Sequence, residues 1–155
     1  MNGYNGSQLW DTTFAVQAFC ESPAIAAFSD TIKKAYNYID YAQIKENGRD
    51  YDTYFRHRSA GGWSFSTRDH SYPVTDCTAE GLVASLAVHQ AFPQMEHTIN
   101  YKRMCLAVDL ILSLQNKDGG WASYELTRAP KWIERINPAS VFADIMTEYS
   151  YTECS

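Results

Sequence analysis

A unit made of a glutamine, a Gly-Gly pair and a tryptophan occurs twice in this chain, and it limits the possible folds more than any other feature. Gln43 ends a helical stretch and is followed, after an insertion, by Gly61-Gly62-Trp63. Gln115 ends another and runs directly into Asn116-Lys117-Asp118-Gly119-Gly120-Trp121, which puts the two tryptophans 58 residues apart. A glutamine at a helix end reaches the exposed backbone groups of a neighbouring terminus while an indole covers the junction, so each unit ties adjacent helices together. Helical hairpins repeated in this way stack into solenoids or close into α/α toroids. Trp63 and Trp121 accordingly read as structural residues rather than catalytic ones.

Apolar periodicity agrees with an all-α fold. Leu9, Trp10, Thr13, Phe14, Val16, Gln17 and Phe19 to Cys20 follow helical spacing, as do Ile32, Ala35, Tyr36 and Ile39. Leu82, Val83, Leu86 and Val88 form a third such set, and Met104, Ala107, Val108, Ile111 and Leu114 a fourth. Asn137 followed by Pro138 reads as the N-cap and first position of a further helix over residues 137–146. Loops are expected at 47–54, at Gly61-Gly62, at 117–120 and at 128–130.

With 45% hydrophobic and 14% aromatic residues the chain has the composition of a globular core, and its net charge of −5 argues against nucleic acid as a partner. No apolar run approaches the roughly 18 residues of a spanning helix, and no basic leader precedes one. Cys20, Cys77, Cys105 and Cys154 lie far apart without metal-type pairing, so reduced thiols are the expectation.

The chemistry concentrates in Val74-Thr75-Asp76-Cys77-Thr78-Ala79-Glu80. Helical spacing puts Asp76 and Glu80 on one face with Cys77 to the side, so the three polar groups share a small environment. A carboxylic acid donates a proton at neutral pH only if burial or a second carboxylate keeps it neutral. A thiol suits such an acid, because S–H is an uncharged donor that holds the carboxyl group without locking it as an anion. The competing reading is that Asp76 is an ordinary helix N-cap.

Asp76-Cys77-Thr78-Ala79-Glu80 resembles the signature of the oxidosqualene cyclases, the family of lanosterol, cycloartenol and other triterpene synthases. Gly3-Tyr4-Asn5-Gly6-Ser7-Gln8-Leu9-Trp10-Asp11-Thr12 is similar to the segment that opens the active-site half of those enzymes. Asn137-Pro138-Ala139-Ser140-Val141-Phe142 through Tyr151-Thr152-Glu153-Cys154 is similar to a later one, and the Gln…Gly-x-Trp units resemble the family's QW repeat. Thr75 stands where Ser is commoner and Trp63 where Phe is often found. The resemblance implies an all-α piece of an α/α toroid, the double α-barrel of the terpenoid cyclases. Because members are several times longer, residues 1–155 are expected to be part of a catalytic barrel domain, incomplete at both ends.

The activity so implied is protonation of the epoxide of 2,3-oxidosqualene, then cationic ring closure and loss of a proton, without a cofactor. The resemblance makes Asp76 the acid and gives it two thiol partners, Cys77 and Cys154, although by itself Cys154 reads as a small buried hydrophobe. Glu80 falls where a network returns the proton to Asp76, or is an exposed helix-surface carboxylate. Trp10, Phe65 and Tyr124 fall at positions of cavity aromatics, which stabilise cations by about 1–2 kcal/mol each when water is excluded; periodicity alone would make them core. Tyr4, His70 and Val74 fall at positions that control product. Tyr4 with His70 resembles the cycloartenol pattern and Val74 the lanosterol pattern, so the product stays open. His70 either orients a tyrosine hydroxyl or accepts the final proton, or is simply a loop residue. Peripheral attachment to one leaflet of the endoplasmic reticulum membrane or a lipid droplet is implied by the family alone, and no protein partner is inferred.

Two readings of other classes compete. A protein prenyltransferase-like toroid would use Asp76, Cys77 and His70 as zinc ligands, although adjacent Asp and Cys side chains point about 100° apart on a helix. A purely structural helical-repeat module would explain the tryptophan units but not the Asp-Cys pair.

Overall fold

The computed structural model describes residues 6–70, 72–96, 98–138 and 147–155, with the backbone alone for His70. Four helices carry it: α1 (Gln8–Cys20), α2 (Ser29–Ala42), α3 (Thr75–Ala91) and α4 (Tyr101–Ser113). Short 3-10 turns lie at Ile25–Phe28, Arg68–His70, Lys131–Ile136 and Thr152–Cys154. Among the described residues the only strand-like pairing is a single antiparallel bridge between Gln115 and Trp121. The four helices fall where periodicity predicts them. The helix expected over 137–146 lies, apart from Asn137 and Pro138, outside the described residues.

α1 lies along α3 and also touches α2, while α3 packs on α4. Leu9, Val16, Ile32, Tyr36, Ile39, Trp63, Cys77, Ala84, Val88 and Ala107 fill the space between them. The buried side of α3 differs from the expected one. Val83 and Leu86 are 47% and 49% exposed, whereas Cys77, Thr78, Gly81, Ala84, Ser85 and Val88 face inward. Small residues win that side because α1 and the Trp63 ring approach closely there. A Cβ on Gly81 would stand 2.6 Å from the indole. The apolar residues left outside, with Phe14 of α1 and Leu112 of α4, form faces that no described residue covers.

The two tryptophan units repeat one set of hydrogen bonds. Gln43 Nε2 donates to the Gly61 carbonyl at 2.9 Å, and Gln115 Nε2 to that of Gly119 at 2.8 Å. Trp63 Nε1 donates to the Ile39 carbonyl at 2.8 Å, and Trp121 Nε1 to that of Ile111 at 2.7 Å. Each unit thus closes its own turn and satisfies a carbonyl in the last turn of the helix before it. The expected bond from glutamine to a neighbouring terminus is made by Gln43 alone, whose Nε2 also reaches the Arg103 carbonyl in the first turn of α4 at 3.4 Å.

Gly61 and Gly119 hold φ of 97° and 92°, a region that favours glycine, but their surroundings differ. A Cβ at Gly61 would lie 2.5 Å from the Leu106 carbonyl carbon, whereas one at Gly119 meets nothing within 4 Å. Gly119→Ala should cost about 1 kcal/mol of backbone strain, and Gly61→Ala about 3 kcal/mol once the clash with the α4 backbone is added. Apparent melting temperatures of the two variants check this. A smaller loss for Gly61→Ala would contradict the packing described.

Candidate active site

Asp76 sits in the first turn of α3, yet it is not the N-cap. That position belongs to Val74, whose extended backbone (φ −113°, ψ 137°) contributes no side-chain cap. The free amides of the first turn find tertiary and local partners instead. Thr75 N–H donates to the Ser123 carbonyl at 2.8 Å, Asp76 N–H points at the Cys154 sulfur, and Cys77 N–H donates to Asp76 Oδ1 at 2.6 Å. Thr75 Oγ1 adds a bond to the Ala122 carbonyl at 2.8 Å, and Val74 N–H bonds the Trp63 carbonyl at 2.9 Å. Both tryptophan units therefore grip the start of the helix that presents Asp76.

One thiol lies at this carboxyl group and a second close by. Cys77 is fully buried and its thiol lies beside the Asp76 side chain. Burial pushes that thiol far above the ordinary cysteine range, and the neighbouring Asp76 carboxyl adds to the effect, so Cys77 is an S–H donor at neutral pH. Cys154, on the 3-10 turn Thr152–Cys154, is also raised, chiefly by burial, while the Ser123 hydroxyl at 3.7 Å acts in the opposite sense. Cys154 was expected to bond the second carboxyl oxygen of Asp76. Its recorded contacts are the Asp76 backbone N–H and the Ser123 hydroxyl.

Glu80 stands one turn further along α3, half-buried, and accepts a 2.6 Å hydrogen bond from Gln17 Nε2 of α1. In the sequence Gln17 reads only as part of the apolar face of α1. Tyr124 follows the second tryptophan unit and lines a cleft of about 330 Å³ with Arg56, Tyr72, Glu125 and Glu148. Its ring meets that of Tyr72 edge-on, centroids 6.3 Å apart, and the Arg56 guanidinium lies 3.9 Å over Tyr72. Burial raises the Tyr124 hydroxyl, with further contributions from Glu148, Cys77 and Asp76, which places the ring within the field of the acid group. Glu148 is a second carboxyl that the sequence did not single out. Burial pushes its pKa up, while the backbone N–H groups of Tyr124 and Ser123 act in the opposite sense.

Trp10 and Phe65 form a further aromatic group at the start of α1. Their ring centroids are 5.8 Å apart, Phe14 stands edge-on to Trp10 at 4.7 Å, and Trp10 N–H reaches the Phe65 carbonyl. Val74 is 6% exposed and belongs to the core cluster. Tyr4 lies outside the described residues, as does the side chain of His70. Among the described residues no group of three His, Cys, Asp or Glu side chains is disposed to hold a metal ion, and no helix is long and apolar enough to cross a membrane.

This arrangement has close parallels. Residues 6–151 match the squalene-hopene cyclase C-terminal domain. The whole chain is 53% identical to the lanosterol synthase of Pneumocystis carinii, 52% to the cycloartenol synthase of Dictyostelium discoideum and 43% to the lanosterol synthase of Homo sapiens. It spans only 21–22% of the length of these relatives. Matched over nearly its full length by the one and along all of it by the others, the chain belongs to the triterpene cyclase family that includes the squalene-hopene cyclases and the sterol-forming oxidosqualene cyclases.

Proposed function

We propose that this chain is part of the catalytic barrel of an oxidosqualene cyclase, an isomerase acting on 2,3-oxidosqualene, with Asp76 as its general acid. The observation that carries this reading is the Asp76 carboxyl group set beside a buried thiol that stays protonated, with the Cys77 amide donating to it at 2.6 Å and a second thiol, Cys154, close by. The acid proton passes to the epoxide oxygen, a C–O bond breaks, and the nearest alkene attacks the carbon that becomes cationic. The carboxylate left behind is stabilised by Cys77 S–H and by the Cys77 amide, which lowers the cost of charge developing in a water-poor site. Substrate and product are isomers, so the reaction consumes no redox equivalent. Glu80, held by Gln17, returns a proton to Asp76 after the final deprotonation.

Trp10, Phe65 and Tyr124 offer their faces to the migrating cation, and the exposed apolar sides of α1, α3 and α4 are covered by further helices of the ring. Attachment to one leaflet of the endoplasmic reticulum or a lipid droplet completes the reading. Incubating the complete polypeptide with 2,3-oxidosqualene and identifying the product by mass spectrometry tests it.

Product choice is set in part beside Val74. Val74→Ile adds one methylene next to the acid and should shift the product mixture at least about threefold toward a single species, since a methylene in an apolar pocket discriminates by about 1–3 kcal/mol. Gas chromatography at matched conversion reads the ratio. An unchanged ratio would show that Val74, buried in the core cluster, does not touch the cyclising chain.

A further inference from the structure

The second tryptophan unit does more than close a turn, because the three residues that follow its glycines join the acid helix to the thiol segment. Trp121 accepts a bond from Tyr151 N–H at 2.8 Å and donates its own N–H to Ser155 Oγ at 2.8 Å, which fixes the segment carrying Cys154. Ala122 and Ser123 take the Thr75 hydroxyl and amide, which fixes the start of α3. Ser123 alone contributes to both sides, since its carbonyl holds Thr75 N–H while its hydroxyl lies 3.7 Å from Cys154 Sγ.

We propose that Ser123 is a positioning residue for the general acid, acting through Cys154, an inference that rests on the cyclase reading above. The Cys154 sulfur already receives Asp76 N–H. A hydroxyl donated by Ser123 takes up its remaining acceptor direction, so the S–H is left to turn toward the carboxyl group of Asp76. Without the hydroxyl the thiol rotates freely and the S–H loses its bias toward the acid. Ser123 touches neither substrate nor the transferred proton in this account. Its backbone bond to Thr75 survives side-chain replacement, so the fold is retained in Ser123→Ala.

A double-mutant cycle in the complete enzyme tests the proposal. Ser123→Ala should lower kcat about three- to tenfold with KM for oxidosqualene little changed, the size of one lost hydrogen bond expressed in a rate. Ser123→Thr, which keeps the hydroxyl, should restore it. In a Cys154→Ala background the same Ser123→Ala change should alter kcat less than about twofold. An equal loss in both backgrounds, or no loss in either, would overturn the proposal.

A second readout does not depend on turnover. Because the Ser123 hydroxyl favours the thiolate, its removal should move the pH profile of Cys154 alkylation, followed by peptide mass spectrometry, to higher pH. An unmoved profile would refute the contact whatever the kinetics. Should Asp76→Asn remain active, the acid assignment fails, while the alkylation profile still decides whether Ser123 governs Cys154.

Discussion

Asp76→Asn should lower turnover of oxidosqualene by about a hundred- to ten-thousandfold while leaving substrate affinity within a few-fold, the 10²–10⁴ that general acid catalysis contributes. The amide is nearly isosteric, and its oxygen can still accept the Cys77 N–H now bonded to Oδ1 at 2.6 Å. What it cannot do is deliver a proton strong enough for an ether oxygen. Single-turnover measurement with saturating substrate separates this from a binding defect. Activity within tenfold of the parent enzyme would remove Asp76 from the role of acid.

Trp63→Ala should be the most damaging substitution outside the acid, costing about 4–5 kcal/mol and leaving the complete protein largely insoluble at physiological temperature. Trp63 is fully buried, and its ring rests on Gly81 of α3. Its Nε1 satisfies the Ile39 carbonyl at the end of α2, while its backbone N–H and carbonyl pair with Thr78 Oγ1 and Val74 N–H at the start of α3. Removing the indole opens a cavity and takes one of two donors from the Ile39 carbonyl, which keeps the Gln43 N–H. Trp121→Ala should cost less, because Trp121 is only half-buried although it makes the equivalent bond to Ile111. Soluble yield and apparent melting temperature of the two variants report the difference. A soluble Trp63→Ala protein melting within a few degrees of the parent would contradict the role given to the indole.

The parts of the fold that follow from local rules were readable in the chain. α1, α2 and α4 lie where apolar residues recur at helical spacing, and the paired Gln and Gly-Gly-Trp elements announce two equivalent turns. α3 was legible as a helix but not in its facing. The large apolar residues Val83 and Leu86 point away from the local core, because the inward side of α3 is taken by small residues, Gly81 standing directly against the Trp63 ring. Its start was hidden for a similar reason. Cap rules look for a side chain near the terminus, whereas Thr75 and Asp76 pass their amides to Ser123 and Cys154, distant in sequence.

Within the site, the grouping of Asp76, Cys77 and Glu80 followed from spacing on one helix. Cys154 was tied to them through the likeness to the oxidosqualene cyclases, and its recorded contacts put Ser123 in the network as well. Gln17, Ser123 and Glu148 carried no signal, since each acts only through a partner that the fold brings near. The repeat units supplied that proximity: one grips Val74 and Thr78 through Trp63, the other Thr75 through Ala122 and Ser123.

In the reading proposed above, an acid with a protonated thiol beside it is matched to an epoxide, whose oxygen is far more basic than an alkene carbon. The measurement that bears on this most directly is a parallel incubation of the complete enzyme with 2,3-oxidosqualene and with squalene, followed to the same time by gas chromatography and mass spectrometry. Consumption of the epoxide to a cyclised 3-hydroxy triterpene, with squalene untouched, is the expected result. Cyclisation of squalene at a comparable rate, or recovery of both substrates unchanged, would contradict it.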